Sequence, residues 1–338
     1  MASMRLTVVG GARRIDRFLR DELGAGFGRR AVAALIGAGG VRVNGRVAVK
    51  STLVAIGDDV TVDASGERSA ALQPLPMPLA VVYCDEQLVV VDKPPALPSI
   101  AGPSGTASLA AGLLHRFPEM AAIDPARAAG LVHRLDTDTS GLLVAARTPA
   151  VYRRLRDAFA AKTIMKEYLA VVRGRVATGG VVTATLARRP RSRTRLVVVD
   201  DGRGWHAVTE YRPLASAGEL TLVHLRMRTG VTHQLRVHMA HLGHPVLGDR
   251  RYGRSSSAAS THGRADVAAT DVVDADPAAC ANGAPAANAG GAGWHYLHAL
   301  RIEAAEGELP RAITTPFPAH WRPLFERLGW PTDLPERW

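Results

Sequence analysis

The chain has 338 residues, 47% of them apolar and 22% charged, so it can bury a full core in more than one domain and is not a disordered chain. Lys and Arg number 42 against 31 Asp and Glu, a formal net charge of +11 that favours a polyanionic partner such as nucleic acid. The two cysteines, Cys84 and Cys280, lie too far apart in sequence for a thiolate metal site or a disulfide framework. The opening "MASMRLTVVGGARR" lacks the apolar stretch of a signal peptide, and no run approaches the ~18 apolar residues of a membrane span, so the expectation is a cytoplasmic protein with no membrane association.

The first element is a helix over 13–23, "RRIDRFLRDEL", with Ile15, Phe18, Leu19 and Leu23 on one face and Arg13, Arg17 and Arg20 on the other. A second helical period runs from Arg29 past Arg30 to Gly37, with Val32, Leu35 and Ile36 apolar, and Gly39-Gly40 ends it. "VRVNGRVAV" then alternates around Asn44-Gly45, a two-residue hairpin signal in which Arg42 and Arg46 face out, and "DDVTV" supplies a further strand. Residues 1–63 therefore form a small helix-helix-hairpin domain with basic faces. Residues 64–79, with three prolines at alternate positions, are a semi-rigid linker.

A second domain occupies 80–338 and opens on two β runs, "AVVYC" and "LVVVDK", about a polar turn. Residues 254–293 are rich in Ala, Gly and Ser, hold no aromatic, and lack the apolar payload to offset ordering entropy; they are a disordered insertion interrupting this domain. "KEYLAVVRG" alternates as a strand that puts Lys166 and Tyr168 on one face. "RTGVTHQLRVHMAHLGHP" leads from a strand into a helix from about His233 to Leu242, with Arg236 in its first turn. His233, His238, His241 and His244 have no carboxylate or cysteine at ligand spacing among them, so no metal is expected.

The chemistry centres on "HRLDTDTSG", residues 133–141, placed as a connection between β-type runs "GLVHRL" and "GLLVAAR". Asp136 and Asp138 are two apart and in extended backbone would share a side. Such a pair suits an acid-base couple of the kind that cleaves glycosidic bonds, and equally two carboxylates satisfying turn amides. Five arginines in "RRPRSRTR", among them Arg189, Arg191 and Arg193, form a basic stretch suited to phosphate contact.

Taken together, "HRLDTDTSGLLV", "KEYLAVVRG", "RTGVTHQLRVHMAHLGHPVLGDRRYG" and "YLHAL" resemble, in order, the motifs of the RluA family of RNA pseudouridine synthases over about residues 80–330. Residues 13–62 resemble the S-four-type RNA-binding module. The resemblance implies an α+β fold whose catalytic domain is built on a mixed, mainly antiparallel sheet, preceded by the small RNA-binding domain. It implies an isomerase that turns specific uridines into pseudouridine, works as a monomer without cofactor or metal, and takes RNA as partner, in the large ribosomal subunit where members carry the extra module. By motif position Asp136 would be the catalytic carboxylate, Arg236 its cationic partner, and Tyr168 the active-site tyrosine. Arg134 would fill the space of the extruded base; Lys166, Thr139, His233 and Gln234 would bind substrate, Asp138 hold the turn and His133 be structural. Arg13, Arg17, Arg20, Arg30, Arg42, Arg46, Arg189, Arg191 and Arg193 would meet the RNA backbone. Two positions depart from the pattern: "KPPAL" follows the second strand, and Val231 stands where arginine is frequent. The competing readings are a non-catalytic ribosome-assembly factor of the same fold, disfavoured by the intact Asp136, Tyr168 and Arg236, and a glycoside hydrolase, disfavoured by basic charge and only 5% aromatics.

Overall fold

In the computed structural model the described residues are 4–23, 29–37, 39–63, 72–101, 107–123, 128–190, 192, 194–253, 293–304, 309 and 312–332. They divide into two units, Met1–Leu72 and Gln73–Trp338. The residues 254–292, within the expected insertion, lie outside the described set.

The first unit contains β1 (Met4–Thr7), β2 (Arg13–Arg14), α1 (Ile15–Leu23), α2 (Arg29–Gly37), β3 (Val41–Val43), β4 (Arg46–Val47), β5 (Leu53–Val54) and β6 (Asp59–Val62). The helical faces expected from spacing are the buried ones: Ile15, Phe18 and Leu19 pack with Val32, Leu35, Ile36, Val41, Val60 and Val62 in one core. Asn44 and Gly45 take φ of 49° and 79°, the left-handed pair that a tight hairpin turn demands. The second hairpin strand is shorter than the alternation suggests, because Val47 and Val49 meet no core and stay exposed.

The second unit contains β7 (Ala80–Cys84), β8 (Leu88–Lys93), α3 (Leu109–Arg116), β9 (Ser140–Ala146), α4 (Pro149–Ala161), β10 (Met165–Arg173), β11 (Gly180–Arg188), β12 (Leu196–Val199), β13 (Trp205–Ala217), β14 (Leu220–Met227), α5 (Gln234–His241), β15 (Leu297–Glu303), β16 (Ile313–Thr314) and α6 (Arg322–Leu328). Its sheet runs β12-β11-β13-β14-β10-β15-β9-β8-β7, with β16 on β15. Among the described residues only β15 and β9 pair in parallel, so the sheet is mixed and mainly antiparallel, as the family resemblance implies. Three helices cover it. Val151, Leu155 and Ala158 of α4 bury against Leu88, Val90, Leu142 and Val144. Leu324 and Phe325 of α6 join Leu169, Val171, Leu222 and Leu300. Val237 of α5 meets Leu186, Leu196 and Ala207. Of the stretch read as a linker, residues from Gln73 on belong to this unit: Leu75 N donates to Ala111 O at 3.0 Å beside α3.

Among the described residues no helix is long and apolar enough to cross a membrane.

Candidate active site

Strand register brings the separate motifs together. Gly141 of β9 pairs with Ala299 of β15, and Ala299 pairs with Tyr168 of β10, so the "TSG" turn and Tyr168 share one row of the sheet. Tyr168 in turn pairs with Leu225 of β14, the strand that leads into α5 and Arg236. The parallel crossing is tight: Gly141 has φ +108°, and a Cβ there would lie 2.3 Å from Ala299 O, which explains the glycine after Thr-Ser.

The loop itself differs from the expectation. Residues 130–135 are not a strand; Leu131 makes one isolated bridge to Ala145. The turn is closed by Thr139 N donating to Asp136 O at 3.2 Å, and Lys93 pins it from behind. That lysine is fully buried and its ammonium donates to the carbonyls of Pro94, Leu97 and Thr137 at 2.7, 2.8 and 2.9 Å. Burial pulls the ammonium down to about 7 against the attraction of Asp138, Asp136 and Asp92. Asp138 accepts no hydrogen bond among the described residues, and burial raises its carboxyl. Lys93 therefore does the holding that the sequence reading gave to Asp138.

Asp136 is the focus of a charge chain. Arg236 Nη1 donates to Asp136 Oδ2 at 2.7 Å, while Nε and Nη2 grip Asp249 through a two-pronged pair at 2.6 and 2.8 Å. Asp249 Oδ1 also accepts from the backbone N–H of Arg251 and Tyr252 at 2.9 and 3.0 Å. Arg236 is 7% exposed and Asp249 4%, so the guanidinium is fixed by three of its own atoms and cannot relax into water. Burial pushes the Asp136 carboxyl up, but the combined pull of His233 and Arg236, with the Arg236 hydrogen bond and His295, outweighs it and leaves the group below the ordinary carboxylate value. An ionised carboxylate at neutral pH follows.

His233 caps α5 with a left-handed φ of 56° and brings Nε2 to 3.7 Å from Asp136 Oδ1, the oxygen that Arg236 does not hold. Its tautomer follows from the network. Tyr252 OH accepts from Leu196 N at 3.1 Å and lies 2.9 Å from His233 Nδ1, so the hydroxyl proton is available to Nδ1. Burial, the largest effect, keeps the imidazole neutral, and the lone hydrogen belongs on Nε2, where it faces the carboxylate. Tyr168 is 6% exposed; burial first and the Asp136 charge second raise its phenol, which stays protonated.

A cavity of about 380 Å³ opens here, within the range of small-ligand pockets, and Asp136, Tyr168, Arg236, Arg134, Lys166, Thr139, His233 and Gln234 all line it. They do not offer it equal chemistry. Gln234 is 1% exposed and spends its whole amide on the protein: Oε1 accepts from Thr229 OH and Val231 N, and Nε2 donates to Val208 O and Thr209 Oγ1. It braces the loop before α5 and has no valence left for a substrate, which corrects the substrate-binding expectation. Thr139 Oγ1 is likewise taken up, 2.7 Å from His295 Nε2. Arg134 is exposed at the rim.

Residues 87–241 match the model of a family described as RNA pseudouridylate synthase. A "Ribosomal large subunit pseudouridine synthase D" of Xylella fastidiosa is 40% identical over 258 residues, 75% of this chain and 76% of that protein. The chain belongs to the RluA family of RNA pseudouridine synthases. A protein of the same name from Vibrio parahaemolyticus is 39% identical over 244 residues, 71% of this chain and 73% of that one. The solved structure of Human RNA Pseudouridylate Synthase Domain Containing 1 shares the fold, with a TM-score of 0.52 at 23% identity over 76% of this chain and 97% of that chain.

As an RluA-family enzyme the protein is an isomerase that converts uridine to pseudouridine in RNA. Several groups of its site escaped the motif reading. Asp249 lies inside the quoted "GDRRYG", where a turn acid is unremarkable, and Lys93 stands out only as a charge at the end of an otherwise apolar strand. The expected backbone-contacting arginines are mixed. Arg13 is tied to Asp21 and Glu22 at 3.0 and 3.3 Å, Arg20 donates to Asp16 O and Arg42 to Gly45 O, whereas Arg17, Arg46 and Arg189 are exposed. Arg191, Arg193 and the side chain of Arg30 lie outside the described residues. Of the four histidines considered for metal, His233, His238 and His244 meet Tyr252, Thr209 and the Arg173 carbonyl, and among the described residues no metal-holding group forms.

Proposed function

We propose that this enzyme isomerises uridines of large-subunit ribosomal RNA with Asp136 as its catalytic carboxylate. The observation that carries the reading is a partly buried, ionised Asp136 held between Arg236 and His233 beside a protonated tyrosine, in a cavity of nucleotide-binding size. The relatives' name supports the choice of RNA. In the reaction the bond from ribose to the base nitrogen breaks, uracil turns, carbon 5 bonds to the sugar and gives up its proton, and the freed nitrogen takes up a proton in its place. A negative carboxylate beside the sugar suits a step in which positive charge develops there or a covalent bond forms. Tyr168, neutral and apolar-faced, stacks on the base. The uridine must leave its helix or stack, at a cost of a few kcal/mol, and Arg134 at the rim fills the vacated place.

The first unit acts as the S-four-type RNA-binding module, its exposed Arg17 and Arg46 meeting phosphates. The enzyme works as a monomer in the cytoplasm, where ribosomes are made.

The test is pseudouridine mapping of large-subunit ribosomal RNA from a deletion strain, before and after incubation with the purified protein. Sites that vanish on deletion and return on incubation support the reading. An unchanged map overturns it.

A further inference from the structure

Two clusters of charged side chains lie at the cavity, and only one of them holds carboxylates. Around Asp136, two carboxylates face Arg236. The other cluster has His133 stacked on Phe159 of α4 with ring centroids 4.7 Å apart, Lys166 Nζ 5.9 Å from the same ring, and Arg156 donating to Val132 O at 3.0 Å. Among the described residues no carboxylate pairs with Lys166 or Arg156, and the nearest acceptor of Lys166 is Thr229 O at a long 3.4 Å. Burial alone pulls the Lys166 ammonium down to about 8, with no acid to restore it. His133 Nε2 accepts from Val144 N at 3.1 Å. Its ring is neutral, since burial and then the charges of Lys166 and Arg156 hold it down to about 3, so Nδ1 carries the hydrogen and is a donor. The cluster thus presents donors and uncompensated positive charge over an apolar ring.

We propose that His133, Arg156 and Lys166 form a phosphate subsite that holds an RNA backbone phosphate next to the target uridine, with Phe159 under the adjoining ribose. An uncharged base would leave the partly buried Lys166 charge without a counter-charge, whereas a phosphodiester neutralises it and accepts from Arg156 and His133 at once. Exposed Arg156 and Ala160 put the cluster at the cavity's open side, where a chain can pass. The subsite rests on the reading of the protein as an RNA-modifying enzyme and adds to it how the strand is held beside the extruded base.

The experiment measures binding of an unmodified large-subunit rRNA transcript by the full-length protein and its Arg156→Gln, Lys166→Gln and double variants between 50 and 200 mM salt. Each lost phosphate contact should lower the slope of log affinity against log salt by about 0.7, so the wild-type advantage shrinks about 2.6-fold per contact over that range and about sevenfold for the double variant. Lys166→Arg should restore the slope, and at constant ionic strength inorganic phosphate should compete with RNA for the wild type more than for the double variant. A double variant with the wild-type slope overturns the proposal, even if it has lost phosphate competition, since the cluster would then take a free anion. If the double variant fails to fold, the single variants carry the same test. Binding is read without turnover, so a wild-type protein that binds the transcript but forms no pseudouridine sinks the proposed function and leaves the slope comparison standing.

Discussion

Asp249→Asn probes the charge chain at its hidden end. Asp249 grips Arg236 at 2.6 and 2.8 Å and is itself held by two backbone N–H groups, all at 4% exposure. Removing one partner of a buried pair costs about 3–5 kcal/mol. Asn keeps one accepting oxygen, so the lower end applies, and at roughly 2–4 °C per kcal/mol for a unit of this size Tm should fall by roughly 6–12 °C. The larger effect is on the reaction. Arg236 would lose one of its two prongs at residue 249 and could swing, and a misplacement near 1 Å at a reacting group costs on the order of 100-fold in rate. Thermal melting, and single-turnover pseudouridine formation assayed below the variant's Tm, separate the effects. A folded variant that turns over at the wild-type rate refutes the reasoning that Asp249 aims Arg236 at Asp136.

Acid should destabilise the protein well above the carboxylate range. Burial holds the fully buried His238, His295 and His298 at about 4, 4 and 3, so below pH 6.5 the unfolded chain takes up protons that the folded one refuses, and stability falls with pH. At pH 5.5 each costs about 1.4 kcal/mol, about 4 kcal/mol for the three, visible as a lower urea midpoint than at pH 7.5; equal midpoints would contradict the burial argument. Lys93→Met should strand three carbonyls at about 1–3 kcal/mol each and slow the reaction by loosening the Asp136 turn, and a stable, active variant would show that the turn holds itself. Tyr168→Phe keeps the stacking ring, so RNA affinity should hold while the rate drops by about 100-fold or more if the hydroxyl moves a proton; an unchanged rate would reduce Tyr168 to a platform. Removing residues 1–63 should weaken RNA binding and flatten its salt dependence, and unaltered affinity would demote the module.

Local chemistry made much of this molecule legible. The apolar spacing of Ile15, Phe18 and Leu19, the Asn44-Gly45 turn, the alternation that sets Lys166 beside Tyr168, and the helix start before Arg236 all express short-range rules. Across-sheet partners obey no such rule. That Asp249 would meet Arg236, or that Lys93 would reach the carbonyl of Thr137, 44 residues later, depends on strand order and on the parallel pairing of β15 with β9. The failures share that cause. "GLVHRL" has strand composition but pairs with β9 only around Leu131 before the chain turns away, and Gln234, polar and beside the cleft, is consumed by Thr229, Val231, Val208 and Thr209. Phe159 and Arg156 sit on a helix whose amphipathic pattern reads as ordinary, and only the fold turns that face toward the cavity.

The central claim is tested most directly by Asp136→Asn on unmodified large-subunit ribosomal RNA, with pseudouridine counted at the mapped sites and RNA affinity measured alongside. The account predicts no detectable pseudouridine with affinity within a few-fold of wild type. Pseudouridine formed at the wild-type rate by the folded variant would contradict it.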